Sequence, residues 1–169
     1  EGYLSDGDSL PTTGARDWRV VHTPGHAPGH ICLFSDLDHT LVVGDMVAGL
    51  GTILIEPTEG DMIQYLDSLR RLADLNPRCL LPSHGPAIGG AVHRLEAYIS
   101  HRLAREERVM DALKRGLHQM DDLVNDVYSD VAPKYRSGVA RMSLESHLNK
   151  LVAENRAIHT TDASWHLSD

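Results

Sequence analysis

Aromatic side chains are scarce in this chain of 169 residues, at 5% with a single phenylalanine, so its core has to be aliphatic. Only two cysteines occur, Cys32 and Cys79, both inside apolar runs. That excludes a disulfide framework and suits free thiols in a reducing compartment. No apolar run approaches the roughly eighteen residues of a membrane span, and no signal-like start is present. The expectation is a soluble cytoplasmic protein with no membrane partner. Cations are also short, with 16 Lys and Arg against 24 Asp and Glu, a formal charge of −8. This argues against broad attraction to nucleic acid or an anionic bilayer, although a local basic patch can survive within it. What is present is an apolar content of 41%, enough for one ordinary domain or one and a half small ones.

Residues 1–17 are rich in Gly, Ser, Asp and Thr, with turn signals at Asp6-Gly7-Asp8 and Pro11-Thr12-Thr13-Gly14. β-Branched and apolar runs predict strands over 18–22, 31–35 and 40–43, the last two forming a hairpin around Asp36-Leu37-Asp38-His39. A helix is expected from Asp61 to about Leu75, its face carrying Met62, Tyr65, Leu66, Leu69, Leu72 and Ala73. Cys79-Leu80-Leu81 reads as a short strand cut off by Pro82. After Gly90 the pattern turns helical. One long helix runs from Ala91 to about Gly116, with Arg102, Arg105, Glu106, Glu107 and Arg108 expected on solvated sides. A second covers 120–128. A third begins at Pro133 and presents Val139, Met142, Leu144, Leu148, Leu151 and Val152. Strand-like pieces over 157–160 and 164–167 close a winged-helix pattern. The expected fold is α/β, with a mixed domain over 1–90 and a linker helix plus winged helix over 91–169.

The chemistry concentrates in Val20-Val21-His22-Thr23-Pro24-Gly25-His26-Ala27-Pro28-Gly29-His30. Here a strand delivers the chain to a proline that stops it and to glycines that leave room for an ion. Three polar groups occur where strands end: His26, Asp45 after Gly44, and His84 after Pro82-Ser83. Two imidazoles and a carboxylate suit zinc, or less specifically iron or manganese, and a carboxylate between two ions is the natural bridge. His22 and His30 flank the first motif as supporting groups. Asp36, Asp38 and His39 read as a hairpin turn, and Ser83 lacks the strand-to-helix elbow of a serine nucleophile.

Thr23-Pro24-Gly25-His26, Gly44-Asp45 and Pro82-Ser83-His84-Gly85, in this order and spacing, resemble the third, fourth and fifth metal motifs of the metallo-β-lactamase fold hydrolases. The stretch from Gly60 to Leu69 resembles the helix these proteins place before the last histidine. The tail, from Tyr98-Ile99-Ser100-His101-Arg102 through His147-Leu148 to Leu151, is similar to the branch that includes a lactamase-like endoribonuclease and polyketide thioesterases. The resemblance implies the C-terminal half of an αββα sandwich followed by a winged helix, with His26, Asp45 and His84 as metal ligands. It also implies two zinc ions in the complete protein, with iron or manganese as alternatives, and a metal-bound hydroxide as nucleophile toward an ester, a thioester or a phosphodiester.

The chain departs from that family at one point, because no His-x-His-x-Asp-His signature occurs in it. It begins at Glu1, and its opening residues read as the middle of something. The expectation is a C-terminal fragment, inactive alone. RNA phosphodiester hydrolysis is the runner-up activity, and a noncatalytic winged-helix interaction protein is the alternative class. Residues 88–169 hold 11 Lys and Arg against 12 Asp and Glu, with Lys134, Arg136, Arg141 and Lys150 on or just before the third helix. Nucleic acid is thus a permitted partner but not the favoured one. A small acyl substrate is favoured because the lip Val47–Pro57 is uncharged over Gly49-Leu50-Gly51, and a homo-oligomer is allowed.

Overall fold

A computed structural model describes residues 2–10, 12 and 17–168; most of the turn expected at Pro11–Gly14 lies outside them. The described residues form two compact units, one of residues 1–53 and 63–100 and the other of 54–62 and 101–169. Composition changes at Gly90, whereas the units divide within a helix after Ser100. The first ten residues of that helix bury Ala91, Leu95 and Tyr98.

The first unit is a six-stranded sheet in sequential order: β1 (Ser9–Leu10), β2 (Trp18–His22), β3 (Ile31–Ser35), β4 (Thr40–Gly44), β5 (Cys79–Pro82) and β6 (Ile88–Gly89). All neighbours are antiparallel except β4 and β5, whose parallel pairing of Leu41 with Leu80 requires a crossover. Helix α1 (Met62–Asp74) supplies it and buries the expected face of Met62, Tyr65, Leu66, Leu69 and Leu72. Strand alternation then separates two faces of the sheet. Cys32, Phe34, Leu41, Val43 and Leu80 are buried. Ile31, Leu33, Val42 and Leu81 point the other way and are only half-buried. The two-residue strands β1 and β6 are too short for a period-2 signal, which is why sequence patterning passes over them.

The second unit contains the rest of α2 (Ala91–Lys114), α3 (Met120–Val127), α4 (Arg141–Ala153) and the hairpin of β7 (Ala157–His159) with β8 (Trp165–Leu167). Its core joins Val109, Leu113, Leu123, Val127, Leu144, Leu148, Leu151 and Trp165. The third helix does not begin at Pro133 as one α-helix. A 3₁₀ turn over Pro133–Tyr135 and a π-helical segment over Arg136–Ala140 come first, so Val139 faces solvent rather than the core. Arg136 holds this lead-in by donating to the carbonyls of Val131 and Ser129.

The helix-face charges also differ from expectation. Arg102, Arg105 and Glu106 are buried, not solvated. Their partners are distant in sequence: Arg105 makes a bidentate pair with Asp130, and Glu106 pairs with Lys150 and Arg156. Beside this network sits His147, 0% exposed, with neither ring nitrogen hydrogen-bonded to a described residue. Burial, followed by the charges of Arg102, Lys150, Arg105 and His101, pushes it from its ordinary value near 6.5 down to about 3. The folded unit therefore keeps His147 neutral while the unfolded chain takes up the proton, so stability is full above pH 6.5 and falls as pH drops toward 3. Between pH 7 and 5 the loss is expected to be about 2 kcal/mol in urea denaturation, and His147→Leu should flatten that slope.

Candidate metal centre

Each of the three motif residues sits on a loop at the end of a strand of the first unit, and glycines bring two of the loops close to their supports. Gly25, at φ +127°, leaves no room for a side chain, because a Cβ there would collide with the Tyr65 backbone at the start of α1. Ser68 Oγ donates to the Pro24 carbonyl (2.8 Å) and Tyr65 Oη to the Met46 carbonyl (2.7 Å), so α1 holds both the His26 loop and the segment after Asp45. The His84 loop is fastened in turn to the Asp45 segment, by Ser83 N–H to the Gly44 carbonyl (3.1 Å) and Gly49 N–H to the His84 carbonyl (2.8 Å).

These supports bring Asp45 Oδ1 to 3.5 Å from His84 Nε2. That oxygen is buried and has no hydrogen-bond partner among the described residues. A carboxylate oxygen in that state is costly unless a cation or donor joins it. The spacing suits a shared ion, since two ligands of a tetrahedral zinc with bonds of about 2.0–2.1 Å lie about 3.3 Å apart. The chemistry of the donors therefore fits a divalent ion, and their number falls short. No group of three or more His, Cys, Asp or Glu that could hold an ion occurs among the described residues. His26, the third expected ligand, is not gathered into one cluster with Asp45 and His84; its ring lies edge-on to His30, 6.2 Å between centroids.

His30 is built into the site more firmly than its flanking position in the sequence suggests. Its Nε2 accepts the Asp45 N–H (3.2 Å), and its Nδ1 lies 2.8 Å from Thr23 Oγ1. Accepting at Nε2 requires the proton on Nδ1, so His30 donates to Thr23 and is held as a neutral imidazole. Burial, then the charge of His26, lowers its pKa in keeping with that state. Thr23 is itself buried and lies 3.3 Å from Cys32 Sγ, a thiol that burial pushes up to about 12 and so keeps protonated. The chain Thr23, His30, Asp45 thereby fixes the backbone that carries the carboxylate. Gly44 completes it: φ is +56° and a Cβ would stand 2.6 Å from His30 Nε2. Gly44→Ala is expected to cost about 2 kcal/mol in urea denaturation, and Gly29→Ala, where a Cβ meets nothing within 4 Å, much less.

His22 plays a more remote part. Its exposed ring reaches the Pro28 carbonyl (2.9 Å) and clips the base of the loop, while Arg71 donates to the His22 carbonyl (2.9 Å). The hairpin carboxylates are engaged elsewhere, Asp36 with Arg19 and Asp38 with the Thr40 N–H. Sequence reasoning undervalued His30 because its partner is fifteen residues away and is a backbone N–H, which leaves no residue-type signal.

Comparison with known proteins finds two family matches along the chain. Residues 3–84 match the model of the metallo-beta-lactamase superfamily, and residues 120–165 that of the beta-lactamase associated winged helix domain. The chain is 33% identical over 148 residues to a beta-lactamase-like protein 2 homolog of Drosophila melanogaster, covering 86% of this chain and 49% of that protein. It is 31% identical over 165 residues to the lactamase-like protein aptB of Emericella nidulans, covering 92% of this chain and 51% of that one. Among solved structures, a beta-lactamase domain protein from Burkholderia ambifaria superposes with TM-score 0.85 at 28% identity, over 98% of this chain and 51% of that one. A metallo-beta-lactamase family protein from Thermus thermophilus gives 0.81 at 25% identity, over 97% and 53%. The chain thus spans about half the length of the relatives it matches.

Proposed function

The chain belongs to the metallo-beta-lactamase superfamily and carries its associated winged helix domain, and on that premise we propose that it is the C-terminal part of a divalent-metal hydrolase that cleaves an ester or thioester. The observation that carries this reading is the buried, unpartnered Asp45 Oδ1 beside His84 Nε2. In the proposal Asp45, His84 and His26 hold zinc, with iron or manganese as substitutes, and the remaining ligands come from a part of the protein beyond this chain. A bound divalent ion supplies Lewis acidity and a water acidified toward neutral pH. The contribution of this chain's own residues is positional. His30 and Thr23 fix the Asp45 backbone, α1 fixes the His26 loop, and the 44–49 segment fixes His84. The half-buried Ile31, Leu33, Val42 and Leu81 suit a second layer laid over that face of the sheet.

The acyl reading is preferred over RNA because the cations on or before the third helix are already engaged. Lys150 is buried against Glu106 and Glu154, Arg141 pairs with Asp121, Arg136 serves backbone carbonyls, and Lys134 lies over the Tyr135 ring. A groove-reading helix needs such groups free, and α4 buries most of its length. The free thiols Cys32 and Cys79 suit a cytoplasmic setting. Among the described residues no helix is long and apolar enough to cross a membrane. The test is a panel of acyl-CoA and acyl-glutathione thioesters, assayed for thiol release by the full-length protein beside single-stranded RNA. Thiol release with RNA left intact is expected, and the reverse would overturn the proposal.

A further inference from the structure

The lip that follows Asp45 presents one apolar side chain that its fold does not use. Met46, Val47, Ala48, Ile53 and Ile55 are buried, whereas Leu50 at the apex is 84% exposed. A lone exposed leucine is ordinary on a protein surface. This one stands on a loop pinned from several directions and joined to a metal-motif histidine. Tyr98 Oη accepts the Ala48 N–H (3.0 Å) and donates to the Gly51 carbonyl (2.9 Å), so the buried tyrosine spans the base of the apex. Arg94 donates to the carbonyls of Ala48 and Gly49. Gly49 packs on Gly85, where a Cβ on either residue would meet the other's backbone at 3.1 Å or less, and its N–H bonds to the His84 carbonyl.

Resting on the hydrolase reading above, we infer that Leu50 is a specificity-determining residue whose side chain contacts the apolar acyl group of the substrate, and that Tyr98 is the residue that positions it. Residues 46–55 carry no charge, and the nearby Arg94 donates to lip carbonyls, so Leu50 offers an apolar contact to a hydrocarbon chain. The lip is held before substrate arrives, which spares the cost of ordering it on binding.

The test uses the full-length, metal-loaded protein and straight-chain acyl-CoA thioesters from acetyl to decanoyl. Each methylene laid against Leu50 is expected to raise kcat/KM about two- to threefold until the contact is filled. Leu50→Ser should lower the decanoyl-to-acetyl ratio of kcat/KM about tenfold, and Leu50→Met should retain it. Tyr98→Phe, with the ring kept and the hydroxyl removed, should lower the same ratio while Leu50 is still present. An unchanged ratio in Leu50→Ser, or a wild-type protein indifferent to chain length, overturns the assignment while leaving the hydrolase reading intact. A wild-type protein that turns over no ester or thioester overturns both.

Discussion

Asp45→Asn or His84→Ala is expected to lower kcat/KM of the full-length protein by at least about a thousandfold, which is about 4 kcal/mol of transition-state stabilisation. The size follows from what each residue would be asked to do. Asp45 Oδ1 is buried with no hydrogen-bond partner among the described residues, and His84 Nε2 stands 3.5 Å from it. Removing either group would take away a ligand of the ion the two would hold, and the ion would supply the acidified water. Folding should survive, because the fastenings of these loops are backbone carbonyls and N–H groups rather than the two side chains themselves. Asp36→Asn, at a carboxylate spent on surface Arg19, is the control and should change kcat/KM less than about twofold. Steady-state kinetics with metal analysis and circular dichroism on each variant measures all three.

The second large effect is on stability. Glu106→Gln is expected to destabilise the winged-helix unit by about 3–5 kcal/mol in urea denaturation. Glu106 and Lys150 meet at 2.7 Å with side chains only 6% and 7% exposed, and Arg156 adds a contact at 2.6 Å. Neutralising the carboxylate leaves the Lys150 ammonium buried with only Glu154 beside it. The double change Glu106→Leu with Lys150→Met should cost much less than Glu106→Gln, since a buried ion pair replaced by apolar groups of similar volume is often near neutral. A double variant as unstable as the single one would show that packing around α2 and α4, not the ion pair, sets the loss.

Much of this molecule is readable from local pattern. The hairpin, the crossover helix and the helical tail follow from periodicity and from turn residues, and the three metal motifs announce themselves by proline and glycine beside histidine or aspartate. The features that pattern missed have partners distant along the chain. Arg105 and Glu106 look like a solvated helix face because they stand in a run of charges of both signs from Arg102 to Arg108, yet their partners Asp130, Lys150 and Arg156 lie 25 to 50 residues downstream. Val139 has helical spacing with Met142, but a π-helical turn rotates it outward. Asp45 and His84 are grouped in the sequence by their place at strand ends and by the family resemblance, but spacing in sequence does not place β4 and β5 side by side. Their parallel pairing does so. The partner of His30 is hidden from sequence for a related reason: a ring that accepts from a backbone N–H leaves no mark on the identity of the residue it supports.

In the proposed reading Asp45, His84 and His26 are part of a metal centre whose other ligands lie beyond this chain. Zinc stoichiometry and affinity, measured by competition with a chromogenic chelator on this chain and on the full-length protein, test it most directly. Two tightly held zinc ions per full-length molecule are expected, and weak, substoichiometric zinc on this chain that His84→Ala abolishes. Tight binding of two zinc ions by residues 1–169 alone, or no zinc on the full-length protein, would contradict it.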